Sequence, residues 1–211
     1  MPRSYLIDRL IPSNEISFVF GSPGAGKSTL ICHISTHLIS GSHFEFSGQT
    51  FNTNKVQLGY AAFDRSTDSI GDLLSKYGLQ NKIQWRSYRN VRRPDGSDQR
   101  RVEDIPADFP NCSTIILDGL GLTIPTGKSN DYCTVGNYIR YCGTVAETNQ
   151  RTFLATLHSP KPRIGEGISN PRMGALGSTA FPGIAEAMIQ VEHADLTKIL
   201  EELIPPNGRY S

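Results

Sequence analysis

A glycine-rich segment near the start of the chain carries the clearest chemical signal. Residues 21–28 read Gly-Ser-Pro-Gly-Ala-Gly-Lys-Ser and fit the pattern G-x-x-x-x-G-K-[ST]. The glycines let consecutive backbone N–H groups point at phosphate oxygens, and a helix that starts at the lysine adds its positive N-terminal end. We therefore predict a nucleotide triphosphate site formed by Gly21, Ser22, Pro23, Gly24, Ala25, Gly26, Lys27, Ser28 and Thr29.

Two side chains of this segment have distinct predicted roles. Lys27 is expected to reach the β- and γ-phosphates as a catalytic cation, and the Ser28 hydroxyl is expected to ligate Mg²⁺. The alternative is an ordinary glycine turn that happens to contain a lysine. A strand-like run at 16–20 and a helical pattern after 28 favour the binding site, with ATP and Mg²⁺ as its ligands.

Two aspartates follow apolar strand-like runs. Asp118 follows Thr114–Leu117 and is predicted to hold Mg²⁺ together with Ser28, the alternative being a helix cap. Asp64 follows Leu58–Phe63 and is predicted to be catalytic, polarising the water that attacks the γ-phosphate. Its alternative is a turn or cap residue at the start of the next helix.

A histidine ends another strand-like run. His158 follows residues 152–157 and is predicted to sense the γ-phosphate from the same crevice, the alternative being a surface histidine. His33 and His37 lie four residues apart on one helix, but no third ligand accompanies them, so packing or exposure is favoured over a metal site.

The surrounding elements alternate between strand and helix, which predicts an α/β fold with a mainly parallel sheet and helices on both faces. The whole chain, residues 1–211, is predicted to form one domain. The predicted strands are 16–20, 55–63, 83–88, 114–117, 152–157, 187–191 and 198–204; the predicted helices are 28–40, 68–77, 131–148 and 181–186. Loops are predicted at 41–54, 91–110 and 159–178, and the second of these belongs to a variable, Arg-rich excursion over 80–110.

The composition narrows the function classes. A formal charge of +1 excludes a global basic field, so any contact with nucleic acid needs a local patch. The four cysteines show no CxxC spacing and are interpreted as reduced thiols. No signal peptide or membrane-spanning run is recognised, which predicts a cytoplasmic protein without a membrane partner.

These motifs together resemble the RecA-like P-loop ATPases, in particular the plasmid RepA and DnaB-type replicative helicase group. The resemblance begins at Tyr5–Glu15, runs through Asp64, Asp118 and His158, and ends at Arg172–Ala180, covering about residues 5–192. It implies a homo-oligomer, either a hexameric ring or a filament, with ATP held between neighbours.

The resemblance also implies a contact with single-stranded nucleic acid. The mobile loop 159–178 would face a central channel, with Lys161, Arg163 and Arg172 as its positive charges. A solvated loop without a partner is the alternative.

Three departures from the family pattern bear on hydrolysis. Asp64 stands where the family usually has glutamate, and Glu186 lies in a segment where relatives often carry an arginine that reaches the neighbouring nucleotide. An extra domain for ring assembly is not recognised. We therefore expect a slow or partner-stimulated ATPase.

A second basic segment lies between residues 82 and 101. Its aromatic side chains, Trp85 and Tyr88, are interleaved with charge, which suits a phosphate backbone with stacked bases, an acidic neighbouring subunit, or simple solvation. The basic residues are Lys82, Arg86, Arg89, Arg92, Arg93, Arg100 and Arg101.

The leading hypothesis is thus an ATPase that acts on nucleic acid in replication or recombination, as a helicase-like motor or an ATP-driven assembly switch. A small-molecule or nucleotide kinase is an alternative, because many kinases share the glycine loop. A regulatory nucleotide-binding module with little hydrolysis is the other.

Overall fold

The computed structural model describes residues 4–46, 48–89, 102–124, 132–158 and 187–191. Its strands are β1 (Tyr5–Ile7), β2 (Ile11–Pro12), β3 (Ile16–Gly21), β4 (Phe44–Phe46), β5 (Gln49–Phe51), β6 (Leu58–Ala62), β7 (Gln84–Ser87), β8 (Thr114–Asp118), β9 (Thr152–His158) and β10 (Ala187–Gln190). Its α-helices are α1 (Lys27–Ser40), α2 (Thr67–Lys76), α3 (Ile105–Asp108) and α4 (Tyr132–Thr148), and 3-10 turns cover Val102–Asp104 and Leu120–Thr123.

Six strands form one parallel sheet in the order β10-β3-β9-β8-β6-β7. The α/β class and the parallel sheet predicted from the sequence are confirmed. Because every strand runs the same way, the carboxyl ends of β3, β6, β8 and β9 meet at one edge, which is where parallel sheets place their sites.

The sheet is covered on both sides, as predicted. Side chains of α1 and α2 pack on one face with Val19, Tyr60 and Leu154 of the sheet. Helix α4 and the segment 102–109 pack on the other face with residues such as Phe18 and Leu117. Neighbouring residues of one strand point to opposite faces, so each buried strand is apolar on both sides.

The prediction of a loop over residues 41–54 is wrong in part. Strands β4 and β5 form a small antiparallel hairpin in which Phe44 is the Cα partner of Phe51. The Phe44 ring is buried and packs beside the rings of His33 and His37 on α1. Strands of three residues are too short to show an alternating pattern among serines, threonines and glycines. For the same reason the hairpin β1–β2 was not predicted as strands.

The prediction of a loop over 91–110 is also wrong in part. Residues 102–108 are helical, and Val102 and Ile105 are fully buried in the core. Burial of these two apolar side chains fixes a segment whose polar and proline content suggested an irregular excursion. The predicted helix 181–186, the predicted strand 198–204 and the whole of the predicted loop 159–178 lie outside the described residues.

Three cysteines fill the core, which agrees with their interpretation as thiols. Cys32, Cys112 and Cys142 are buried and free. Within the described ranges, no helix is both long and apolar enough to cross a membrane.

Candidate active site

The glycine loop joins the end of β3 to the start of α1. Gly24 and Gly26 have φ of 80° and 91°, in the left-handed region that favours glycine. A Cβ atom on Gly21 would collide with the carbonyl oxygen of Val191, just past β10. Helix α1 begins at Lys27, so the loop lies at its positive N-terminal end.

The Lys27 ammonium is buried inside this loop. Its Nζ donates to the carbonyl oxygens of Gly21 and Ser22, at 2.9 and 2.8 Å, and lies 3.2 Å from Nδ1 of His158. Burial lowers the pKa of Lys27, while the negative charges of Asp118 and Asp64 oppose that shift. The lysine therefore sits in a desolvated position where a phosphate would strongly favour its charged form.

Asp118 ends β8 and is 1% exposed. The Ser28 hydroxyl donates to its Oδ2 at 3.0 Å, which unites the two predicted metal ligands. Two residues that the sequence analysis missed hold the same carboxylate: Tyr60 Oη donates to Oδ2 at 2.7 Å, and Thr156 Oγ1 donates to Oδ1 at 2.6 Å. The helix-cap alternative for Asp118 is excluded, because Gly119 is the residue that precedes the next turn.

Tyr60 and Thr156 have a weak signal in the sequence. Tyr60 lies in β6 and Thr156 in β9, two polar-tipped side chains within apolar strands. Thr156 also accepts a hydrogen bond from the Gly119 amide at 2.7 Å, so one hydroxyl fixes both the carboxylate and the backbone that follows it. Burial and the nearby Asp118 charge raise the pKa of Tyr60 well above its usual value, which keeps it a donor.

Asp64 lies beside Asp118 at the end of β6. The Phe63 amide donates to the Asp118 carbonyl at 2.8 Å, and a Cβ atom on Gly119 would come within 3.2 Å of the Asp64 carboxyl carbon. Its Oδ1 is buried and has no hydrogen-bond partner among the described residues. The cap alternative is excluded, because Ser66 caps α2 with its side chain accepting from the Ser69 amide.

Burial and the neighbouring carboxylate disfavour the charged form of Asp64. Burial first, and then the Asp118 charge, raise its pKa, while Arg65 and His158 oppose the shift. An acid with a raised pKa and an unpaired oxygen fits proton transfer better than a surface turn residue does.

His158 ends β9 with its ring half-buried, next to the start of the glycine loop. Gly21 is its Cα partner across β3 and β9. Burial and the Lys27 charge lower the pKa of His158, so near neutral pH the ring is neutral and its Nδ1 accepts from Lys27. A fully exposed ring is thereby ruled out, while the sensing role stays a prediction.

Arg65 is the third residue that sequence analysis missed, because it lay in what was interpreted as the start of a helix. Its Nη2 donates to Ser28 Oγ at 3.4 Å, and its Nε lies 3.7 Å from Asp118 Oδ2. Among the described residues, the site thus contains two cations, Lys27 and Arg65, and two carboxylates at one edge of the sheet.

The side chains present fit a magnesium nucleotide. Mg²⁺ prefers oxygen ligands, and the Ser28 hydroxyl and the Asp118 carboxylate supply them within hydrogen-bond distance of each other. The buried Oδ1 of Asp64 is a further polar atom that lacks a hydrogen-bond partner in the described part of the chain. Left-handed glycines open the loop for a close approach of phosphate to backbone amides.

His33 and His37 on α1 pack against neighbouring rings, which is one of the two environments, packing or exposure, predicted from the sequence. The rings of His33 and His37 meet edge to face at 4.9 Å and both contact Phe44. In the part of the chain that the structure describes, no group of three histidines, cysteines or acids could hold a metal ion.

The basic segment 82–101 is described only up to residue 89. Tyr88 is 2% exposed and donates to Asp108 Oδ2, so it is not available for base stacking. Arg86 pairs with Asp108 at 2.7 Å, and Trp85 is partly buried against the core. The stacking hypothesis is therefore wrong for Tyr88. Lys161, Arg163, Arg172 and Glu186 lie outside the described residues, as do Arg92, Arg93, Arg100 and Arg101.

Fold and site together define a class, the P-loop nucleotide-binding domains: a parallel sheet with the phosphate loop after one strand and a buried aspartate after another. The family model described as "AAA domain" matches residues 1–163, and the chain belongs to that family. It is a P-loop ATPase domain of the AAA type. The match does not single out the RepA and DnaB-type group, and no curated protein matches the chain.

Proposed function

We propose that this chain binds ATP with Mg²⁺ through residues 21–29 and hydrolyses it slowly or on stimulation by a partner, acting on nucleic acid in replication or recombination. One observation carries the proposal: Lys27, Ser28 and Asp118 converge at the carboxyl edge of the sheet, with Ser28 Oγ 3.0 Å from Asp118 Oδ2. A cation, a hydroxyl and a buried carboxylate are the set that P-loop ATPases use on a triphosphate.

The roles follow from the contacts. Lys27 would exchange the Gly21 and Ser22 carbonyl oxygens for the β- and γ-phosphates. Ser28 and Asp118 would hold Mg²⁺, which neutralises phosphate charge when bound. Tyr60 and Thr156 orient the Asp118 carboxylate by donating to both of its oxygens.

Asp64 is the proposed base. It is adjacent to Asp118 and has a buried oxygen without a partner among the residues that the structure describes, so it can accept a hydrogen bond from the attacking water. An aspartate reaches one methylene less far than a glutamate, which supports slow turnover rather than fast turnover.

Two features support an action on nucleic acid. The basic side chains Lys161, Arg163 and Arg172 follow His158 closely in the sequence, and His158 contacts Lys27 at 3.2 Å. A change at the γ-phosphate that moves Lys27 would therefore reach the start of the loop 159–178. Assembly into a ring or filament and a cytoplasmic location belong to the same proposal.

Turnover under three conditions tests the proposal. ATP hydrolysis is measured on the protein alone, with single-stranded DNA, and with a panel of phosphate acceptors. We expect a low rate that rises with DNA. ADP formed in proportion to a phosphorylated acceptor would instead establish a kinase, and binding without turnover in any condition would establish a regulatory module.

The substitution Lys27→Ala tests the binding site. It removes the buried ammonium, so ATP binding or turnover should be lost. Lys76→Ala is the matched control, because Lys76 is an exposed lysine in the last turn of α2. Equal ATP affinity in Lys27→Ala and in the unmodified protein would refute the proposed site.

A further inference from the structure

The backbone of Arg65 is fixed at the edge of the site. Its carbonyl oxygen accepts a hydrogen bond from Ser87 Oγ on β7 at 2.6 Å. The next residue, Ser66, caps α2. The start of this side chain is therefore held by two elements, while its long, flexible stem can still change direction.

The guanidinium of Arg65 is only loosely held. Its Nη2 is 3.4 Å from Ser28 Oγ, near the upper limit for a hydrogen bond, and its Nε is 3.7 Å from Asp118 Oδ2. This Nε is buried and has no hydrogen-bond partner within the described residues. The side chain is 35% exposed, whereas that of Asp118 is 2% exposed. A buried donor without a partner is costly, so the position favours a further acceptor.

The Arg65 guanidinium lies beside the two oxygens that the proposed function assigns to Mg²⁺. A guanidinium and a divalent cation on the same hydroxyl and carboxylate repel each other strongly in a partly buried site. The two cations therefore exclude one another at Ser28 and Asp118. When the metal nucleotide binds, the guanidinium has to find other acceptors.

Phosphate oxygens are the acceptors that suit it. Arg65 carries five N–H donors in a planar fork that matches phosphate geometry, and Ser28, its present partner, belongs to the phosphate loop itself. Arg65 also directly follows Asp64, the proposed base, in the chain.

We propose that Arg65 is a phosphate-contacting residue that exchanges Ser28 and Asp118 for the terminal phosphate of ATP when Mg²⁺ takes those two ligands. The inference rests on the proposed function. The chain thereby supplies in cis a positive charge that would stabilise the charge developing on the transferred group. The exchange also makes ATP, which has the terminal phosphate, a better ligand than ADP.

Calorimetric titration with ATP and with ADP, both in excess Mg²⁺, tests the phosphate contact. Arg65→Ala should weaken ATP binding about 10- to 100-fold, the range of a charge-assisted hydrogen bond, and leave ADP binding nearly unchanged. Arg65→Lys keeps a positive charge without the planar guanidinium, so its loss of ATP affinity should be smaller. Arg140→Ala, an exposed arginine on α4, is the control and should match the unmodified protein.

Equal losses for ATP and ADP would mean a structural role, and unchanged ATP affinity would mean no contact; either result overturns the inference. If the unmodified protein binds neither nucleotide, the proposed function itself fails. Binding by the unmodified protein together with no ATP-specific loss in Arg65→Ala or Arg65→Lys rejects the arginine contact alone.

A nucleotide-free titration with Mn²⁺, followed by electron paramagnetic resonance, tests the exchange. Removing the competing guanidinium in Arg65→Ala should tighten Mn²⁺ binding at Ser28 and Asp118. Weaker or unchanged Mn²⁺ binding in Arg65→Ala would show that the guanidinium and the metal do not compete.

Discussion

Two arginine–carboxylate pairs lie at the carboxyl side of strands β6 and β7, and they differ in ways that separate function from structure. Arg86 Nη1 donates to Asp108 Oδ1 at 2.7 Å, and Tyr88 Oη fills the other oxygen at 2.7 Å. Arg65 stays 3.7 Å from Asp118, whose oxygens are held by neutral hydroxyls instead. Both oxygens of Asp108 thus accept short hydrogen bonds, whereas the guanidinium of Arg65 makes no short contact with Asp118 and can move.

Burial explains the difference. The Arg86 side chain is 54% exposed and that of Asp108 14%. Water therefore screens this ion pair, and the two side chains can adopt a short direct contact. Asp118 is buried, where an ion pair is stabilising only with good geometry. A carboxylate held by hydroxyl donors, with its arginine at a distance, is suited to accept a metal ion.

The largest expected contrast is between the two carboxylates. Asp118→Asn should lower ATP turnover on the order of 10²-fold or more, because the amide cannot supply negative charge to the metal. Asp108→Asn should leave turnover unchanged and reduce the free energy of unfolding by about 1 kcal/mol or less. Steady-state turnover and urea unfolding of both variants measure these two effects. Similar turnover in the two variants would contradict a functional role for Asp118 that Asp108 lacks.

The tyrosines that donate to the two carboxylates should show a smaller contrast in their effect on turnover. Tyr60→Phe removes the donor to Asp118 Oδ2, so we expect about 10- to 100-fold more Mg²⁺ to be needed for half-maximal turnover. Tyr88→Phe removes the corresponding donor to Asp108 and should leave the Mg²⁺ requirement where it was. A Mg²⁺ titration of both variants decides, and an unshifted midpoint for Tyr60→Phe would contradict a positioning role.

The smallest effect concerns pH. The folded pKa of His158 lies below its usual value of about 6.5, so the unfolded chain takes up the proton first as pH falls. Stability from this group is fully present above about pH 6.5 and is lost as pH drops through the folded pKa. Burial is the largest cause of this lowered pKa and the Lys27 charge adds to it, whereas the charges of Asp64 and Asp118 oppose it.

Urea unfolding between pH 7.5 and 5.5 measures that effect. The free energy of unfolding should fall with decreasing pH in the unmodified protein and fall less in His158→Gln. His37→Gln, which replaces a histidine packed on α1 away from Lys27, serves as the control and should keep the original slope. If the free energy of unfolding has the same slope against pH in the unmodified protein and in His158→Gln, a group other than His158 causes the pH dependence.

Much of the candidate site could be predicted from the sequence alone. The glycine loop, Asp118 and His158 each carry a local signal, since a strand-end residue after an apolar run needs only the neighbouring sequence to be recognised. The short hairpins β1–β2 and β4–β5 and the helical segment 102–108 were missed. Their signals are brief, and the burial of Phe44, Val102 and Ile105 that fixes them is decided by distant parts of the chain.

The sequence by itself determined that a phosphate loop lies between a strand and a helix, and that a parallel sheet brings strand ends to one edge. Only the tertiary structure decided which side chains meet there. Strand β9 lies between β3 and β8, so Thr156 reaches Asp118 and His158 reaches Lys27. Strand β6 lies on the other side of β8, so Tyr60 and Arg65 reach Asp118 as well. The order of strands depends on packing between residues far apart in the chain, and local patterns do not contain it.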